Sequence, residues 1–129
     1  MTRRAVQTTN APAAVASYSQ AIDTGAYVFC AGQIALDPAT NEIVEGGVEA
    51  QAERALLNLT AVLDECGLSF ADVVKTTCFL ADINDFAAFN EVYGKFMTTP
   101  PPARSTFAVA ALPKGALVEI EAIAVRSSD

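Results

Sequence analysis

Val118-Glu119-Ile120-Glu121-Ala122-Ile123-Ala124 alternates with a period of two, the pattern of a β-strand. Glu119 and Glu121 then face the same side of a sheet. A carboxylate on an otherwise apolar strand is costly unless it is partnered or used. Working back along the chain, a turn at Leu112-Pro113-Lys114-Gly115 separates this strand from another at Ser105 to Val109, which follows Pro100-Pro101-Pro102-Ala103-Arg104. Proline fixes φ and restricts the residue before it, so the chain enters Arg104 stiff and extended. The guanidinium fork pairs bidentately with a carboxylate or phosphate. A fixed cation near possible acid/base groups is the skeleton of a site for a small organic acid. A solvated edge strand with a surface arginine fits the same spacing.

Farther back, Thr98 to Pro102 ends a helix whose Phe86, Phe89, Tyr93 and Phe96 form one stripe, read as core packing, with capping side chains at Asp82 to Asp85. Asp72 to Leu80 is β-branched and strand-like. From Val48 to Cys66, Ala52, Ala55, Leu56, Leu59, Val62, Leu63 and Cys66 recur at helical spacing, and Gly67 stands where a left-handed cap belongs. Tyr27 to Ala31 reads as a buried strand and Ser17 to Asp23 as an alternating one, with a short strand expected at Ala5 to Thr8. The order β-β-β-α-β-α-β-β implies an α+β fold. Connections of helix length suit crossovers between parallel strands, and short ones suit hairpins.

The 129 residues fit one domain, and a 52% hydrophobic fraction is rich enough to favour self-association. A formal charge of −7 argues against nucleic acid and against an anionic membrane surface, since both need clustered basic residues. The chain has no His, which removes the usual base of hydrolytic triads and the commonest zinc ligand. Cys30, Cys66 and Cys78 are odd in number and lack metal spacing, so they read as reduced, buried hydrophobes and no metal site is expected. No stretch is long enough to span a membrane, and a cytoplasmic location is the default expectation.

Asn10-Ala11-Pro12-Ala13-Ala14, Ala31-Gly32-Gln33, Val74-Lys75-Thr76-Thr77, Asn84-Asp85-Phe86, Pro102-Ala103-Arg104-Ser105 and Glu119-Ile120-Glu121-Ala122 together resemble the Rid/YjgF reactive-intermediate deaminases, also called RidA or L-PSP proteins. The likeness runs from Asn10 to Arg126. It implies a single Rid/YjgF-like domain over residues 1–129 with a chorismate-mutase-like fold: a mixed six-stranded sheet with two helices on one face. It also implies a homotrimer with sites between subunits. The implied activity is cofactor-independent hydrolysis of imines and enamines such as 2-aminoacrylate, that is, a 2-iminobutanoate/2-iminopropanoate deaminase yielding 2-keto acids and ammonia.

By position, Arg104 matches the family arginine that grips the substrate carboxylate, and Glu119 the acid that activates water. Tyr18 and Asn90 match polar residues lining the cleft, Tyr18 with an expected catalytic part. Gly32 matches a glycine whose backbone N–H reaches the substrate carboxylate. Ala31 and Thr106 stand where the family often has Ser and Cys, and both remain substrate-binding positions. Glu121 is expected to have a structural role, such as pairing with Lys or Arg. Three other functions stand beside the small-imine deaminase. One is deamination of a larger catabolic enamine such as 2-aminomuconate, with room left by Ala31. Another is non-catalytic binding of 2-keto acids by a trimer. The last is endoribonuclease activity, which the charge and the absence of His disfavour.

Overall fold

The periodic segment at Val48 folds as helix α1 (Val48–Glu65), with Ala52, Ala55, Leu56, Leu59, Val62 and Leu63 buried along one face. Gly67 follows at φ +72°, the left-handed conformation that ends the helix. Burying each leucine contributes roughly 1.5–3 kcal/mol, and a cavity at Leu59, which is fully buried, would cost about 2–5 kcal/mol. The computed structural model describes residues 2–127. Met1, Ser128 and Asp129, which the expected domain range includes, lie outside the described residues.

Six strands form one sheet: β1 (Arg4–Val6), β2 (Ala21–Asp23), β3 (Tyr27–Gln33), β4 (Val73–Leu80), β5 (Ala103–Ala108) and β6 (Val118–Val125). The second helix, α2, spans Phe86–Phe96. The spatial order is β1-β2-β3-β6-β4-β5. β4 and β5, joined through α2, are parallel, and every other pairing is antiparallel. This is the mixed α+β architecture expected. α1 packs on α2, β3 and β6, and the core lies between this helical layer and Val28, Cys30, Cys78, Leu80, Val118, Ile120 and Ala122 of the sheet.

The other face of the sheet carries no helix. Tyr27 and Phe29 on β3 and Phe107 on β5 remain 45–47% exposed there, and Phe79 meets Phe107 edge-on at 5.4 Å.

Three strand readings change here. The expected strand from Ser17 shortens to Ala21–Asp23, leaving Tyr18 in a loop. The cause is Gln20, which is buried and spends its amide on the loop before it. It accepts from the Thr8 N–H at 2.7 Å and donates to the carbonyls of Thr8 and Pro12. Those bonds take the place of a strand ladder, so β1 also stops at Val6. Ser69 and Asp72 close a capping box on a short 3-10 turn, which delays β4 to Val73.

Candidate active site

The bare face is set by register. Val118, Ile120 and Ala122 point into the core, so Glu119 and Glu121 point away from the helices. Glu119 pairs with Phe79 and Glu121 with Thr77 on β4. Among the described residues no basic group pairs with either acid. Glu121 therefore makes no ion pair within the described residues; its side chain is exposed beside a threonine. Burial pushes the Glu119 carboxyl above the ordinary carboxylate range, and the Glu121 carboxylate on the same face pushes it further.

Glu119 sits in a cavity of about 430 Å³ that Tyr18, Ala31, Gly32 and Lys114 also line. A Cβ at Gly32 would overlap the Glu119 carboxylate, so glycine is what allows the acid to lie across this backbone. The walls are tied to buried amides. Asn58 on α1 donates to the carbonyls of Ile34 and Leu36, and the backbone carbonyl of Gln20, whose side chain is buried, accepts from the Ala31 N–H at 2.9 Å. Tyr18 is 52% exposed at the rim.

Arg104 and Asn90 lie elsewhere. Arg104 is inside β5, in register with Thr76, and Thr106 is in register with Cys78. Thr76 and Cys78 are fully buried under the helices, so Arg104 and Thr106 face the helical side at the sheet's edge. Arg104 and Asn90 border a groove of about 540 Å³ between α2 and the segment from Met97 to Pro102. The Arg104 guanidinium donates from Nη1 to Asn90 Oδ1 at 2.7 Å. Thr106 lines neither hollow, and its Oγ1 is buried beside the Cys78 thiol.

Within one chain, then, the expected residues form two groups on opposite faces of the sheet. Tyr18, Ala31, Gly32 and Glu119 share the cavity; Arg104, Asn90 and Thr106 occupy the helical edge. The stripe on α2 also divides. Phe89 and Tyr93 are buried in the core, but Phe86 is 37% exposed. Phe86 and Tyr93 both lie under Arg104, with its Cζ 5.4 and 4.7 Å from their ring centroids. Their spacing on the helix identified the shared face, yet gave no sign of the cation crossing it.

All three cysteines are free and buried. Burial pushes Cys30 up to about 12 and Cys78 to about 11, so neither is a thiolate nucleophile near neutral pH. Among the described residues no cluster of three or more Cys, Asp or Glu is arranged to hold a metal, and no helix is long and apolar enough to cross a membrane.

The fold and these two surfaces define a small α+β protein offering a half-buried acid on one face of a sheet and an arginine on the edge of the other. Residues 8–126 match the family model described as Endoribonuclease L-PSP, and the chain belongs to that family, which includes the Rid and YjgF proteins. Protein DfrA of Myxococcus xanthus is 55% identical over 97% of both chains. A protein of Capra hircus named 2-iminobutanoate/2-iminopropanoate deaminase is 48% identical over 98% of this chain and 92% of its own. The crystal structure of E. coli TdcF with bound serine superposes with a TM-score of 0.90 at 45% identity, covering 96% of this chain and 99% of that one.

Proposed function

We propose that this chain is a cofactor-independent deaminase that hydrolyses the imine or enamine forms of small 2-amino acids to 2-keto acids and ammonia. The observation that carries this reading is Glu119, an acid of raised pKa laid across the Gly32 backbone in a cavity with no cation paired to it. Relatives named as 2-iminobutanoate/2-iminopropanoate deaminases support the substrate class.

An imine carbon is already electrophilic, so the protein must hold the anion, place a water and move protons. An enamine such as 2-aminoacrylate first takes a proton at C3 to become the imine. Arg104 binds the substrate carboxylate bidentately, with the Gly32 N–H as a second donor. Glu119 accepts a proton as water attacks C2 and returns it to the nitrogen; it then carries the proton of the resulting hydroxyl to that nitrogen, which leaves as ammonia. The C2–N bond breaks and the C2=O bond of the keto acid forms, with no change of oxidation state. Tyr18 and Asn90 line the site, and Ala31 and Thr106 shape it.

Arg104 and Glu119 lie on opposite faces of one sheet, so the reading requires the edge of one copy to meet the bare face of the next. A closed homotrimer with sites between subunits meets that need, and the exposed Tyr27, Phe29 and Phe107 supply apolar surface for it. Endoribonuclease activity fits less well with a charge of −7 and no His.

The test couples the protein to a pyridoxal-phosphate dehydratase that generates 2-aminoacrylate, following pyruvate release. Acceleration by wild type, abolished in Arg104→Ala and strongly reduced in Glu119→Gln, is expected. A folded, assembled wild type that leaves the spontaneous rate unchanged overturns the proposal.

A further inference from the structure

We propose that Phe86 and Tyr93 are positioning residues that form an aromatic cradle setting the guanidinium of Arg104 for bidentate capture of a carboxylate. The inference rests on the reading of Arg104 as the anion anchor.

Phe86, Asn90 and Tyr93 occupy positions i, i+4 and i+7 of α2, one face of the helix. Arg104 crosses that face from β5, with Cζ 4.7 Å from the Tyr93 centroid and 5.4 Å from that of Phe86. Both distances lie within cation–π range. The Tyr93 ring is itself pinned, its hydroxyl 2.7 Å from Oγ1 of the fully buried Thr76. Thr76 is also the register partner of Arg104 across the β4–β5 pair. One threonine thus fixes the strand that carries the arginine and the ring beneath its side chain.

The remaining constraint is Asn90, which accepts one Nη1–H at 2.7 Å. An arginine side chain has five donors, and no other hydrogen bond or ion pair engages the Arg104 guanidinium among the described residues. The two rings limit rotation of the guanidinium plane while Asn90 holds one corner. The Nε and Nη2 edge is left for a carboxylate. A flexible arginine would lose much rotamer freedom on binding, and prior stacking removes part of that loss. In a chain of net charge −7, anion affinity depends on such local arrangement.

The experiment titrates the assembled, full-length protein with 2-oxobutanoate by calorimetry, alongside steady-state kinetics in the coupled assay. Phe86 is partly exposed, so its variants fold. Phe86→Leu is expected to raise Kd and KM about threefold, and Tyr93→Leu about tenfold, with kcat nearly unchanged. Phe86→Trp, with the stronger ring, is expected to hold or lower Kd. Arg104→Lys, which keeps charge but loses the stacked plane, is expected to bind almost as poorly as Arg104→Ala. If wild type binds and Arg104→Ala does not, yet Phe86→Leu and Phe86→Trp share the wild-type Kd, the cradle is wrong and the anchor stands. A wild type that does not bind, or an Arg104→Ala variant that binds equally well, overturns the anchor and the cradle with it.

Discussion

The carboxylate of Glu119 lies across the α-carbon of Gly32, on the cavity side of the β3–β6 pair, where a Cβ would collide with its Oε2. The colliding atoms are the far end of a flexible side chain, so a Gly32→Ala protein relieves the overlap by swinging Glu119 away. Its melting temperature should stay close to that of wild type while kcat for 2-aminoacrylate falls about 10- to 100-fold, since a displaced base no longer meets the water. A large drop in melting temperature with kcat preserved would place the function of Gly32 in folding.

Glu121 raises the pKa of Glu119 by sharing its face. Glu119 must be ionised to act as a base, so activity should rise with pH as its carboxyl loses its proton. Glu121→Gln removes the like charge and should shift the acidic limb of the kcat profile to lower pH, with the plateau retained. An unmoved limb would detach that titration from Glu119.

The separation of Arg104 and Glu119 onto opposite faces predicts complementation. The Arg104→Ala protein should be inactive by itself and the Glu119→Gln protein strongly impaired. Refolded together in equal amounts, they should recover about a quarter of wild-type activity, because random neighbours then pair an intact arginine with an intact acid at one junction in four. Activity staying at background in a mixture shown by mass spectrometry to be heteromeric would mean that both residues act within one copy.

Asp23 accepts from Arg4 at 2.9 Å and Arg126 at 2.7 Å, tying β1 and the end of β6 to β2. The Arg126 bond, helped by the Gly25 N–H and Arg4, lowers its pKa from 3.8 to about 2. A depressed folded pKa gives stability that is present above the unfolded value and lost as pH falls through the folded one. Asp23→Asn should therefore cost about 2 kcal/mol at pH 7 in urea unfolding, with the difference from wild type shrinking between about pH 4 and pH 2. A constant difference across that window would show that packing, and not charge, is what the substitution removes.

Legibility followed the range of each interaction. α1 could be read from Ala52 to Cys66 because its spacing and its Gly67 stop are local, and β6 because its alternation is. The Ser17–Gln20 segment misled for the opposite reason: its alternation is real, but the buried Gln20 amide bonds to a loop 8–12 residues earlier in the chain. Phe86 looked like Phe89 because periodicity names a face without naming what lies on it. The division of the site between two faces depends on strand order, which no window of sequence contains. The structural role expected of Glu121 follows from the resemblance, which names Glu119 as the acid, and the register sets a threonine beside it.

The sheet order has a consequence for motion. β6 is flanked on both sides, by β3 and β4, whereas β5 is hydrogen-bonded only to β4. In an isolated copy, amide hydrogens of β5 should exchange by local opening, while those of β6 wait for global unfolding. Glu119 thus rides on an interior strand of the sheet, and Arg104 on an edge strand that opens sooner. A second copy seated along β5 would therefore do more than complete a pocket: it would still the strand that holds the charge.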